Sequence, residues 1–181
     1  RAAVDIAAPG TTLTSAFYGG QTGGNNPTLV NSTNFPGANL YSGGVGGTSF
    51  AAPITAAGAA LMVSGSRQDA ELVANDNARD ARVIKAAMLN SADKIAGWNN
   101  GQSVAGGVVT TTQSLDWASG AGALNLDRAY DQYLAAGTRD LAGTGGGKVQ
   151  TTGWDYGVVG LGNTLMYEID SMLLGGSFFT V

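Results

Sequence analysis

Gly46-Gly47-Thr48-Ser49-Phe50-Ala51-Ala52-Pro53 stands directly before a run of small apolar residues that continues to Val63. The two glycines permit a sharp turn and the close approach of another backbone segment. The apolar run predicts a buried helix over residues 49–64, with alanine and glycine at the close-packing positions. The run is about 14 residues long, fewer than the roughly 20 that a membrane-spanning helix needs. Ser49 is therefore predicted in the first turn of a core helix.

Two interpretations of Ser49 follow from that position. In the first, its hydroxyl is a nucleophile, and the unpaired N–H groups at the positive end of the helix stabilise the resulting oxyanion. In the second, Ser49 or Thr48 is only the N-cap of the helix, a role for which both residue types are preferred. A serine nucleophile needs an adjacent base, yet the chain contains no histidine. Either the base lies on another piece of polypeptide, or Ser49 is not a working nucleophile.

The segment Gly47-Thr48-Ser49-Phe50-Ala51-Ala52-Pro53 resembles the Gly-Thr-Ser-x-Ala-x-Pro signature around the nucleophile of the subtilisin-like serine proteases (subtilases, peptidase family S8). Phe50 stands where that family usually carries methionine. Four further segments resemble family segments and occur in family order, namely 4–10, 40–44, 82–93 and 117–126. In the family, the aspartate and histidine of the triad and the side-chain oxyanion asparagine all precede the segment matched by 4–10. Only Ser49 is therefore carried over, and Asp5 is not the triad aspartate.

The resemblance implies an α/β fold: the C-terminal half of a subtilisin-like three-layer domain with a parallel sheet, followed by the start of a β-rich, sandwich-like domain. We expect the partial catalytic domain at residues 1–140, a Gly-rich joint at 141–148 and the β-rich domain at 149–181. Within the last region, strands separated by Gly and Asn turns are predicted at residues 149–156, 165–170 and 177–181.

The same resemblance implies a serine endopeptidase that works through an acyl-enzyme on Ser49 once the N-terminal half of the catalytic domain completes it. Ser49 Oγ would attack, and the Ser49 backbone N–H would donate to the oxyanion. This chain alone is expected to be inactive. The alternative is a non-catalytic subtilase-derived scaffold or peptide-binding module, with Ser49 kept only as a helix cap. A secreted adhesion protein is a third interpretation.

Composition limits the partners. Nine basic and thirteen acidic residues give a net charge of −4 without a basic cluster, which argues against nucleic acid and anionic membrane. The expected partners are a polypeptide substrate and the N-terminal half of the catalytic domain. No cofactor or metal is required for the implied chemistry, and the family leaves room for structural calcium in the complete protein. Family resemblance and the low charge indicate a secreted or extracellular protein.

The remaining segments predict helices and loops. A second helix is expected over residues 79–92, with Asp76 or Asn77 as its N-cap. Residues 10–39 and 97–116 are interpreted as loops. A third helix should start after the cap Asn125, run to about residue 136 and end at Gly137. Its core face should consist of residues at helical spacing, namely Leu126, Ala129, Tyr130, Tyr133 and Leu134.

Overall fold

The chain forms two compact units, one of residues 8–55 and one of Arg1–Ala7 together with Ala56–Val181. The residues that this computed structural model describes are 4–16, 41–134, 138–139, 145–148 and 152–168. The predicted Gly137 and the predicted strand at 177–181 lie outside them, as does most of the predicted loop at 10–39.

The unit of residues 8–55 contains a two-stranded antiparallel ladder. Strand β1 (Leu13–Ala16) pairs with strand β2 (Tyr41–Val45), and the register shifts between Leu13 and Ser15. Strand β2 covers most of the segment 40–44, one of the segments that resemble the family. It leads through Gly46 and Gly47 into helix α1, so the segment that contains Ser49 joins a strand to a helix.

Helix α1 (Thr48–Gln68) confirms the predicted helix and extends it to 21 residues. The expectation that this helix is buried along its length was wrong, because only Gly58, Met62, Gly65 and Ser66 are buried within it. In the described part of the chain, it is the one helix long and apolar enough to cross a membrane by length and composition. The expectation that this segment is too short was wrong, because Ser64, Gly65 and Ser66 continue the helix instead of ending it. Core helices of globular proteins meet the same two criteria of length and composition. The packing of α1 therefore has to decide between a membrane-spanning helix and a core helix.

Two further helices lie in the other unit. A 3-10 turn (Asp76–Arg79) precedes helix α2 (Ala81–Asn90), and helix α3 covers Leu126–Leu134. The predicted cap at Asp76 or Asn77 was wrong: the Asp80 carboxylate accepts the Arg82 N–H at 2.8 Å and caps α2, while Asn75 caps the 3-10 turn. Asp80 has an extended backbone, with ψ 134°, which separates the 3-10 turn from α2 and makes α2 begin at Ala81, two residues after the predicted start. The Asn125 side chain accepts the Arg128 N–H at 3.0 Å, which confirms the predicted cap of α3.

The core of this unit forms where the three helices meet. Val83, Ile84, Ala87 and Met88 of α2 are buried, as the spacing predicted. On α3, Ala129 and Tyr133 are fully buried, whereas Tyr130 is 42% exposed and lies at the margin of the core. The cluster is completed by Met62 of α1 and by Leu72, Ala78 and Trp154.

Glycines on α1 allow α3 to approach closely. A Cβ added to Gly58 would come within 2.4 Å of Leu126 Cδ2, and one added to Gly65 would come within 2.9 Å of the Tyr130 ring. Helix α3 also carries Asp127, Arg128 and Asp131, charges that lipid would disfavour. We therefore interpret this part of α1 as a core helix.

Residues 97–116 contain a β-hairpin, so their interpretation as a loop was wrong. Strand β3 (Ser103–Ala105) pairs with strand β4 (Val108–Thr110) in antiparallel register. Gly106 and Gly107, with φ of 59° and 80°, form the two-residue turn between them. This positive-φ pair suits the right-handed twist of a hairpin.

The described sheets are all two-stranded. Besides β1–β2 and β3–β4, two short parallel ladders join β5 (Thr138–Arg139) to β7 (Gly153–Trp154) and β6 (Gly147–Lys148) to β8 (Tyr167–Glu168). Helices and small sheets agree with the expected α/β class. The larger parallel sheet and the β-rich domain are not confirmed by the described residues, and the division at residues 141–148 stays a prediction.

Candidate active site

Two glycine segments hold each other where α1 begins. The Gly47 N–H donates to the Gly10 carbonyl at 2.6 Å. Gly47 has φ of 137°, and a Cβ added to Gly46 would lie 2.9 Å from the Gly10 oxygen. Side chains at these positions would separate the two backbones or strain them. The backbone contact therefore fixes the direction in which the chain enters α1, and so the position of Ser49.

Gly47, not Thr48 or Ser49, occupies the position before the helix. The Gly47 carbonyl accepts the N–H of Phe50 at 3.0 Å and that of Ala51 at 3.4 Å, which closes the first turn. Ser49 is thus the second helical residue. Among the described residues, no backbone N–H donates to the Ser49 hydroxyl, so these hydrogen bonds do not support the interpretation of Ser49 as a cap.

The surroundings of Ser49 favour negative charge. Ser49 is exposed, and the first turn of α1 contains no acidic residue. In the part of the chain that the structure describes, no acceptor pairs with the backbone N–H of Thr48 or of Ser49. The positive end of the helix dipole is therefore not neutralised from within its own turn. Such a position stabilises an oxyanion that forms beside Ser49 Oγ.

The sequence around Ser49 contains no charge. Residues 6–66 include no Asp, Glu, Lys, Arg or His, and the whole chain has no histidine. The unit of residues 8–55 can thus position a nucleophile, but it holds neither a general base of the usual kind nor a carboxylate to orient one.

Comparison with known protein families identifies the family of this chain. The model of the Subtilase family, Peptidase S8, matches residues 1–130, which is more than half of the chain. The chain belongs to the subtilase family. Subtilases are serine proteases, so at the family level the protein is a hydrolase that acts on polypeptides. No curated protein and no solved structure is similar enough to the chain to match it.

Asp116 is a carboxylate of this subtilase that accepts four hydrogen bonds. It accepts the Ser119 hydroxyl at 2.8 Å and the Ser119 N–H at 2.7 Å, and it also accepts the N–H groups of Ala118 and Asn99. The hydrogen bonds from Ser119 lower the pKa of Asp116. A general base for serine works best with a pKa near the operating pH. Asp116 is therefore an ionised anchor of its loop and a poor proton acceptor.

Lys94 is likewise engaged in structure. Its ammonium donates to the Ala121 carbonyl and lies 4.6 Å from the centroid of the Trp98 ring. Partial burial lowers the pKa of Lys94. The Trp98 indole N–H in turn donates to the Gly120 carbonyl at 2.8 Å. These contacts join the segment after α2 to the one before α3.

Ser49 is the candidate that the sequence offers, but the sequence analysis missed two features of its surroundings. Gly10 was noted only as the last residue of the segment 4–10, although its carbonyl accepts the Gly47 N–H. The sequence signal for this contact was the occurrence of two glycine turns, Pro9-Gly10 and, further along the chain, Gly46-Gly47. The uncharged stretch of residues 6–66 was directly readable from the sequence and identifies the unit that needs a base from elsewhere.

Proposed function

We propose that this chain supplies the nucleophile and an oxyanion donor of a serine endopeptidase. The observation that carries the proposal is the placement of Ser49: exposed, second in α1, and beside backbone N–H groups that no acidic residue of the first turn neutralises. Its sequence context is the Gly47–Pro53 signature, within the region that matches the subtilase family.

The proposed reaction is acyl transfer followed by hydrolysis. Ser49 Oγ attacks the carbonyl carbon of the scissile peptide bond while a base removes the hydroxyl proton. The Ser49 backbone N–H donates to the oxyanion. When the peptide C–N bond breaks, the protonated base gives its proton to the leaving amine, and an acyl-enzyme ester remains. Water then cleaves the ester with the same base, which restores Ser49 and releases the acid. No metal or organic cofactor takes part in these steps.

The base and its orienting carboxylate come from another segment of polypeptide in this proposal. Support comes from the absence of histidine in the chain and from the uncharged stretch around Ser49. The expected supplier is the N-terminal half of the catalytic domain. We further propose that the complete protein is secreted, that it uses no nucleic acid or membrane as a partner, and that any calcium it binds is structural.

A second candidate function rests on the same absence. A chain without histidine is also what a scaffold or peptide-binding module derived from a subtilase would have. In that case, the peptide would bind without being cut. The upstream reading frame separates the two candidates, since both an aspartate segment and a histidine segment are needed for catalysis.

The test is casein hydrolysis by the complete catalytic domain, compared with its Ser49→Ala and Ser64→Ala variants. Ser64 is an exposed serine on the same helix, bonded to Gln68, which makes it a matched control. We expect Ser49→Ala to lower kcat/KM at least about a thousandfold and Ser64→Ala to retain activity. Equal activity of wild type and Ser49→Ala would reject the endopeptidase proposal.

A further inference from the structure

The hairpin formed by β3 and β4 has an anchored base. The Gly101 carbonyl accepts the Thr112 hydroxyl at 3.3 Å, and the Gly101 N–H donates to the Asn99 side-chain oxygen at 2.7 Å. The Asn99 backbone N–H in turn donates to the Asp116 carboxylate at 3.1 Å. These hydrogen bonds join the two ends of the hairpin to each other and to the Asp116 loop, so its arms start from a fixed position.

Both arms of the hairpin are exposed along their whole length. Three of their residues are valines, Val104, Val108 and Val109, which are 68%, 64% and 53% exposed. Natural sheets protect an exposed edge with charged residues, proline or a β-bulge. Here the register is regular, and residues 95–115 include no charged residue and no proline. Both edges of the hairpin are therefore open to another strand.

The backbone groups at these edges are unpaired. In a hairpin with a two-residue turn, the residues that flank the turn bond to each other, and hydrogen-bonded and non-hydrogen-bonded pairs then alternate. Ala105 and Val108 flank the turn, so Val104 and Val109 form the non-hydrogen-bonded pair. Their N–H and C=O groups point outward, one set at each edge. Within the described ranges, no group pairs with either set.

An identical edge complements each of these edges. When a strand pairs with itself across a two-fold axis, one residue faces the same residue of the other copy, and each N–H donates to the opposite C=O. Val104 or Val109 can meet its own counterpart in this way, and the side chains of both then continue one apolar face across four strands. Because residues 95–115 are uncharged, two copies meet there without like-charge repulsion, and the hairpin has no charge that would select a charged partner instead.

We propose that the β3–β4 hairpin pairs edge to edge with the same hairpin of a second copy of this chain, which forms a four-stranded antiparallel sheet about a two-fold axis. Strands of three residues bury less surface than a standard interface of about 1,600 Å². The dimer is therefore weak and depends on protein concentration. This inference does not rest on catalysis by Ser49.

Sedimentation of the complete protein over a concentration series measures the dimer, with Val104→Pro and Val109→Pro as variants. Proline removes the outward N–H that pairing between copies needs but takes no bond from the hairpin's own ladder. We expect the variant at the pairing edge to raise the dissociation constant at least about tenfold, because both N–H bonds of the two-fold pair are lost. Val158→Pro is the control: this valine is 70% exposed, lies outside the strands, and should leave the dissociation constant unchanged.

Amide hydrogen exchange gives a second measurement that needs no variant. The N–H of Val104 or Val109 should exchange about tenfold more slowly at high protein concentration than after dilution, since pairing protects it. The N–H of Val108, bonded inside the hairpin, should not change with concentration. Three results would overturn the proposal: a protein that stays monomeric, a dimer that neither hairpin variant weakens, or protection of Val104 and Val109 that appears only when a peptide is added to the monomer.

Discussion

Residues 8–55 contain no charged side chain, whereas every ion pair in the described part of the chain lies in the other unit. The first unit shapes its site with backbone: a Gly47–Gly10 hydrogen bond, a positive-φ glycine and a helix start. The second unit uses side chains, with capping Asp and Asn residues, a buried tyrosine and four ion pairs among its described residues. In the proposed function, the nucleophile is therefore held by backbone alone with no charged side chain in its unit, and the base comes from another segment.

The largest expected effect is the absence of turnover by the chain alone. Without a base, Ser49 stays a weak nucleophile however well it is oriented. Incubation of the 181-residue chain with unfolded casein and with a chromogenic peptide should give no hydrolysis above buffer. Turnover that co-purifies with the chain and disappears in Ser49→Ala would show that no base from another polypeptide is needed. It would contradict the conclusion drawn from the comparison of the two units.

Substitution of Gly47 tests whether backbone geometry holds the first unit. Gly47→Ala should lower the free energy of unfolding by about 1–3 kcal/mol, since alanine is strained at this φ. Gly43→Ala is the matched control: Gly43 has an ordinary φ, and an added Cβ would come no closer than 3.8 Å to its nearest neighbour, Thr14. Chemical denaturation measures both. Equal stability of the two variants would contradict the role given to the Gly47–Gly10 contact.

Tyr133→Phe is the corresponding test in the second unit, which contains Ala56–Val181. The variant leaves the buried Ala78 carbonyl without its donor, the Tyr133 hydroxyl, which should cost about 1–2 kcal/mol of stability. Tyr130→Phe, at the partly exposed tyrosine of the same helix, should stay within about 0.5 kcal/mol of wild type. A neutral Tyr133→Phe variant would mean that the Tyr133 hydroxyl does not stabilise the core.

The smallest effect is a pH dependence at Asp80. Hydrogen bonds from Arg82 lower the pKa of Asp80 from 3.8 to about 2 in the folded chain. A lowered folded pKa means that the carboxylate stabilises the fold above about pH 4, and that this contribution is lost as the pH falls toward 2. The stability difference between wild type and Asp80→Asn should therefore shrink over that window and stay constant from pH 5 to 7. A constant difference down to pH 2 would contradict the assignment. Because Arg82, the partner of the Asp80 carboxylate, is 73% exposed, solvent screens the pair and we expect a small effect.

The sequence predicted the features that depend on local patterns. The cap at Asn125, the buried stripe of α2 and the place of Ser49 in the first turn all follow from spacing and residue type. The hairpin at 103–110 was missed because its two arms are three residues long and resemble a Gly-rich loop. The cap of α2 was misplaced because the break at Asp80 depends on its extended backbone and its bonds to Arg82.

The contacts of Trp154 could not have been predicted in the same way. Trp154 meets Tyr133 across 21 residues of sequence, and no periodicity connects a short strand to a helix end. Burial of the two rings against each other decides the contact. The uncharged stretch of residues 6–66 is the opposite case, because the sequence shows it directly. The structure adds that residues 8–55, which include Ser49, form one unit without a charged side chain.

The most direct test of the central claim is active-site labelling of the complete catalytic domain, folded, with its histidine segment present and free of any blocking segment. A fluorophosphonate probe is added, and the adduct is mapped by mass spectrometry. The account predicts an adduct on Ser49 that is absent in Ser49→Ala, retained in Ser64→Ala, and lost when the histidine is replaced. If Ser49 stays unlabelled in that protein, Ser49 is not the nucleophile and the scaffold function takes its place.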